Sequence, residues 1–205
     1  SLLPLWNTNL KDYAVGTVPD IIEIESKEFS QRLNYPSQLG YFNAGVLLVN
    51  LEYWREHRVV IDFFNFIQKY ADILICHDQD LLNALFSDNK VIFPIKYNLT
   101  SGFLRKGPQY DFRKYGKGLE DARRDPVIVH FSAEKPWVNY ARQPKHPFSS
   151  IFFKYQSQTK WIGVKIDKRP FKLRVINYLA DMLRKYGLKS QVSPLYEYID
   201  IAPID

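Results

Sequence analysis

One cysteine, Cys76, stands in the 205 residues. It can close no internal disulfide and has no CxxC neighbour with which to hold a metal, so nothing points to an oxidising compartment. No window approaches 18 consecutive apolar residues, which excludes a membrane-spanning helix, and no leader-like stretch announces export. Internal repeats and low-complexity segments are absent too. What is present is ordinary globular composition, 46% hydrophobic and 24% charged, which excludes disorder and fibre and suffices for one domain with a sizeable core. Aromatic residues are plentiful, with 14 Tyr, 14 Phe and 4 Trp, suited first to packing and second to sugar-stacking surfaces. The chain opens at Ser1 without methionine and runs at once into Leu2-Leu3-Pro4-Leu5-Trp6, which reads as the interior of a domain with an amino-terminal portion upstream.

Charge is unevenly placed. The net charge is +6, yet residues 160–190 alone hold nine Lys and Arg against two Asp, so the excess belongs to the carboxy-terminal segment. There Leu173, Ile176, Leu179, Ala180 and Leu183 share one face of a predicted helix over 171–186, opposite Arg174, Asp181, Arg184 and Lys185. Two readings stay open for this basic amphipathic segment: contact with an anionic membrane surface, or a solvated helix packed on its own domain. Nucleic acid is not expected, because no recognised binding motif accompanies the charge. The acidic end beyond Pro194 reads as a tail.

The stretch from Tyr41 to Trp54 organises the rest. Asn43-Ala44-Gly45 runs into the apolar Val46-Leu47-Leu48-Val49, which predicts a central strand covered on both faces, and Asn50 is placed to cap a following helix. The turn residues are either a plain tight turn or a lip where a ligand approaches the backbone. Strands are also predicted over 13–18, 91–93, 96–98 and 127–129. Helices are predicted from Ser26 to Leu33, over 59–70, after an N-cap at Asp78, and over 149–156. Residues 100–125, rich in glycine and charge, read as a long loop, either lid or disorder. Val127-Ile128-Val129 delivers His130 at a strand's carboxyl end, where ligands of open α/β sheets gather.

Three stretches, Tyr41-Phe42-Asn43-Ala44-Gly45-Val46-Leu47-Leu48-Val49-Asn50-Leu51, Asp78-Gln79-Asp80-Leu81-Leu82-Asn83 and His130 to Trp137, resemble glycosyltransferase family 8 in order and approximate spacing. The opening Ser1 to Leu10 looks like the segment that follows that family's Asp-x-Asp motif. The resemblance covers about residues 1–160 and implies an α/β domain of GT-A type, incomplete at its amino terminus, with 161–205 as a basic helical extension and tail. It implies transfer of a hexose from a UDP-sugar to a glycan or lipid-linked acceptor, with retention at the anomeric carbon and with Mn2+ or Mg2+. His130 matches the family's metal histidine and Lys135 the lysine that holds the departing phosphates. Asn43 and Ala44 match donor-sugar contacts, and Asp78 and Gln79 match groups beneath the anomeric carbon. The Asp-x-Asp pair would lie upstream of Ser1, so residues 1–205 on their own are expected not to turn over. The expected location is cytoplasmic, with possible peripheral contact on the inner membrane through 160–190. A non-catalytic binding or scaffold domain of the same fold is the competing expectation.

Overall fold

A single helical turn, α1 (Leu3–Trp6), opens the chain and leads to strand β1 (Val15–Pro19). The computed structural model describes residues 1–21, 28–107, 110–132, 135–139, 146–164, 167–168, 171–186 and 197–201. Helix α2 (Glu28–Arg32) precedes strand β2 (Phe42–Val49), which runs into α3 (Leu51–Glu56), α4 (Val59–Tyr70) and α5 (His77–Phe86). Short strands β3 (Lys90–Ile92), β4 (Leu99–Thr100) and β5 (Arg105–Lys106) follow, then α6 (Gly116–Arg124) and β6 (Val129–His130). The remainder holds β7 (Val138–Asn139), α7 (Ser149–Gln156), β8 (Asp167–Lys168), α8 (Phe171–Lys185) and β9 (Glu197–Tyr198). The backbone separates into two units, Ser1–Phe103 with Gln109–His130, and Leu104–Pro108 with Phe131–Asp205.

In the first unit β1 lies between β2, antiparallel, and β3, parallel. Gly16 is needed in β1 because a Cβ there would come within 2.2 Å of the Phe93 ring. Between Gly16↔Leu48 and Val18↔Asn43 the register slips, two residues of β1 spanning five of β2. Such an irregularity re-aims side chains next to it, and here it falls on Ala44 to Leu47, immediately after Asn43. Asn50 ends the strand and caps α3, its side chain accepting from the Tyr53 amide at 3.1 Å, a contact worth about 1 kcal/mol. The core gathers Ala14, Val15, Phe42, Val59, Leu82 and Phe86, with Leu47, Trp54 and Phe63 packed on it. Trp54 meets Phe63 edge-on at 5.2 Å.

The expectation of a central strand covered on both faces is corrected: among the described strands β2 is an edge, with Val46 to Val49 half-buried and Gly45 exposed. Four apolar residues in a row do not distinguish a strand covered twice from one whose Ala44 and Leu47 alone meet the core. Residues 96–98, expected as strand, form part of a 3-10 turn over Ile95–Tyr97 entered through Pro94, and pairing begins only at Leu99. Residues 100–125, expected as a long loop, are mostly folded rather than disordered. Leu119 and Ala122 of α6 are buried, and Arg123 donates twice to the Phe103 carbonyl, at 2.9 and 2.6 Å. Glycines at 116 and 118 hid that helix from periodicity. The predicted cap Ser26 lies outside the described residues.

The second unit contains the pairs β5–β9, antiparallel, and β7–β8, parallel. Glu197 and Tyr198 are therefore strand where a tail was expected. Its aromatic cluster joins Phe131 to His146 at 4.6 Å, Trp137 to Phe152 at 5.0 Å and His146 to Tyr198 at 5.4 Å.

Candidate active site

Three polar side chains of the first unit, Asp20, Asn43 and Gln79, meet where β1 and β2 reach the start of α5. Asn43 Nδ2 donates to Asp20 Oδ2 at 2.7 Å and to Gln79 Oε1 at 3.1 Å. Gln79 Nε2 donates to the same Asp20 oxygen at 3.1 Å, and the Ala44 amide donates to Gln79 Oε1 at 3.0 Å. The backbone donor at Ala44 fixes which end of the Gln79 amide is oxygen. Asn43 Oδ1, in turn, accepts from the Gly45 amide at 2.9 Å and from Asn98 Nδ2 at 2.8 Å. The far end of Asn98 reaches His130, with Oδ1 2.9 Å from Nδ1. Of the expected site residues the fold thus brings Asn43, Ala44, Gln79 and His130 into one hydrogen-bonded series.

Local chemistry explains each placement. Asn83 of α5 clamps the start of β2, its Oδ1 accepting from the Phe42 amide at 2.8 Å and its Nδ2 donating to the Phe42 carbonyl at 2.8 Å and to the Gln79 carbonyl at 2.9 Å. One buried amide thereby fixes the strand beside the first turn of the helix. Gly45 is required under the histidine, since a Cβ there would lie 2.2 Å from His130 Cε1 and 2.9 Å from its Nδ1. Thr100 pairs in register with His130 across β4 and β6, so the two side chains share a sheet face. Its buried hydroxyl has no hydrogen-bond partner among the described residues.

A second buried network flanks the first. Asp80 takes a bidentate pair from Arg32 at 2.8 and 3.0 Å, the Tyr41 hydroxyl at 2.7 Å and the Cys76 amide at 2.6 Å. Arg32 also donates to the Ile73 carbonyl. Burial alone pushes the Asp80 carboxyl up, but the donors from Arg32, Cys76 and Tyr41 outweigh it and hold the group below the usual aspartate range. Burial first, and the bond to Asp80 second, push the Tyr41 phenol far above its ordinary value.

Asp78 is not the N-cap of α5. That position falls on Cys76, so the helix starts at His77, whose φ of 48° is left-handed, two residues earlier than expected. Asp78 stands exposed in the first turn beside Gln79 and makes no side-chain hydrogen bond among the described residues. Lys135 belongs to the second unit, where its ammonium donates to the Phe131 carbonyl and lies 5.8 Å from the Trp137 ring centroid. Asp20 and Asn98 were not singled out in the sequence. The signal available for Asp20 was the one used for His130, a polar group at a strand's carboxyl end, but Pro19-Asp20 reads equally as a turn.

Comparison with known proteins gives the family and the fold. The model of Glycosyl transferase family 8 matches residues 1–141. General stress protein A of Bacillus subtilis is 31% identical over 160 residues, 77% of this chain and 54% of that protein. A lipopolysaccharide 1,2-glucosyltransferase of Escherichia coli is 32% identical over 148 residues, 69% of this chain and 42% of its own length. The chain thus spans about half the length of these curated relatives. Among solved structures, the galactosyltransferase LgtC in complex with donor and acceptor sugar analogs aligns with a TM-score of 0.60 at 24% identity, covering 85% of this chain and 60% of LgtC. The bifunctional glycosyltransferase WbbM gives 0.64 at 22%, covering 79% and 31%. The fold is the α/β GT-A type of these glycosyltransferases.

Proposed function

Since the chain belongs to glycosyl transferase family 8, we propose that it serves the transfer of a hexose from a UDP-sugar to a glycan or lipid-linked acceptor, with retention at the anomeric carbon. The observation that carries this reading is the series joining Gln79, Asp20, Asn43 and Ala44 to one another and, through Asn98, to His130. The proposed acceptor class is lipopolysaccharide-type glycan, in line with the name of the E. coli relative.

The donor's bond breaks when its diphosphate can leave with its charge neutralised. A divalent cation, Mn2+ or Mg2+, supplies that neutralisation as a Lewis acid when bound. The chain's fit to such a cation rests on His130: an imidazole nitrogen suits Mn2+ alongside oxygen ligands. Among the described residues no group of three His, Cys, Asp or Glu is gathered, so the contribution they offer is this one nitrogen. Lys135 keeps the assignment its motif gives it, a fixed positive charge for the departing phosphates.

At the anomeric carbon the requirement is reversed, because positive charge develops as the leaving group departs. Gln79 presents a carbonyl oxygen held by two N–H donors, next to the buried Asp20 carboxylate. A dipole and a charge fixed in advance need no reorganisation as the reaction proceeds. An amide is a weak nucleophile, so the favoured route is attack by the acceptor on the same face, guided by the leaving phosphate. Asn43 and Ala44 line the donor sugar, and Asp78, exposed one residue before Gln79, holds its hydroxyls.

The location proposed is cytoplasmic, peripheral on a membrane, with residues 161–205 as the attaching extension of a glycosyltransferase domain over 1–160. Among the described residues no helix is long and apolar enough to cross a membrane. Support for surface attachment comes from α8, where Ile176, Leu179 and Leu183 are exposed and Ala180 is buried.

Replacing Gln79 by Ala in the full-length enzyme tests the central role. Turnover is expected to fall about 100-fold with donor affinity nearly unchanged, read by steady-state kinetics beside donor titration calorimetry. Unchanged turnover would refute the role of Gln79. Donor binding with no transfer in the unmodified full-length enzyme would favour the non-catalytic reading.

A further inference from the structure

His130 ends a series of amides whose polarity is fixed at its other end by the main chain. The Gly45 N–H can only donate, so Asn43 Oδ1, 2.9 Å away, is an acceptor. That same oxygen receives Asn98 Nδ2 at 2.8 Å, which fixes the orientation of the Asn98 amide. Asn98 Oδ1 is then the atom that faces His130 Nδ1 at 2.9 Å, and an oxygen there requires a proton on the nitrogen. Asn98 is fully buried and Asn43 nearly so, which shields both amides from water that could satisfy a reversed arrangement. Turning Asn98 over would set oxygen against oxygen at Asn43.

We propose that Asn98 is a positioning residue: relayed from the Gly45 amide through Asn43, it holds neutral His130 as the Nδ1–H tautomer and so places the ring's lone pair on Nε2, the nitrogen through which the metal reading has it engage a divalent cation. The inference rests on the reading of His130 as a metal ligand for its consequence, though not for the tautomer itself. Free imidazole of histidine favours the opposite, Nε2–H form, so the preference must come from this surrounding. The absent side chain at Gly45 completes the arrangement, because a Cβ there would displace the ring from Asn98. Partners of metal-binding histidines commonly set tautomer and ring orientation in this way.

The test reads the tautomer directly, by long-range proton–nitrogen NMR of 15N-histidine protein without metal, at a pH where the imidazole is neutral. Loss of signals in His130→Gln assigns the ring. The unmodified protein is expected to show Nδ1–H. Asn98→Asp, which keeps an acceptor toward the ring, retains it, and Asn98→Leu shifts the population toward Nε2–H. An Nε2–H ring in the unmodified protein or in Asn98→Asp overturns the proposal, as does an unchanged ring in folded Asn98→Leu. If Asn98→Leu does not fold, the other two measurements still decide. Titration with Mn2+ then separates this inference from the one beneath it. The His130 ring signals broaden in the unmodified protein, and Asn98→Leu needs roughly 10- to 100-fold more Mn2+. An Nδ1–H ring that Mn2+ leaves unbroadened would end the metal reading while upholding Asn98 as the residue that sets the tautomer.

Discussion

Thr100 buries a hydroxyl with nothing to bond among the described residues, and such a group costs stability without return. Thr100→Val keeps the shape and removes the polar atom, so the protein is expected to gain about 1 kcal/mol in urea unfolding. A loss of stability would mean that the hydroxyl is satisfied. At this scale the sequence was informative where a residue type is rare for its place. His130 after an apolar run and Gly45 just before one both stood out, and the fold sets one upon the other. It was uninformative where bonding is remote. Asp20 and Asn43 are 23 residues apart, Asn43 and Asn98 55 apart, and neither separation leaves a local pattern. The resemblance named Gln79, Asn43, Ala44 and His130 in the hydrogen-bonded series and left Asp20 and Asn98 unread.

Among the elements, α4 and α7 span the residues that hydrophobic spacing assigns to them, 59–70 and 149–156. Those two assignments needed only local information. The failures are of another kind. The start of α5 falls at His77, whose φ is left-handed, and the status of β2 as an edge depends on which strands pair with it. Neither is written in a window of ten residues. Helix α8 yields the prediction that belongs here. With Phe171, Tyr178 and Leu179 exposed on a basic segment, the protein is expected to co-sediment with vesicles containing anionic lipid and to be released by salt. Equal sedimentation with neutral vesicles would contradict an electrostatic component, and none with either would favour the solvated reading.

For the molecule as a whole, the α/β class and the GT-A type were legible because three motifs fell in order along the chain, whereas the division into two units was not, since 104–108 joins a segment that resumes at 131. That division has a pH signature. Burial lowers the His146 imidazole to about 4, so the folded second unit holds it neutral. The contribution is complete above the unfolded histidine value of about 6.5 and declines as pH falls to about 4, by an amount on the order of 3 kcal/mol. Chemical denaturation across that range should show the loss, and His146→Phe should flatten it; equal slopes would exclude His146 as the cause. The first unit carries its mark at the other end of the scale. Tyr41, its phenol donated to Asp80, ionises far above an ordinary tyrosine while folded. In strong base it becomes a built-in optical alarm: of the 14 tyrosines, it is one whose tyrosinate absorbance appears only once the enclosure formed by Arg32, Cys76 and Asp80 has opened, so the colour change dates the breach of the wall behind Gln79.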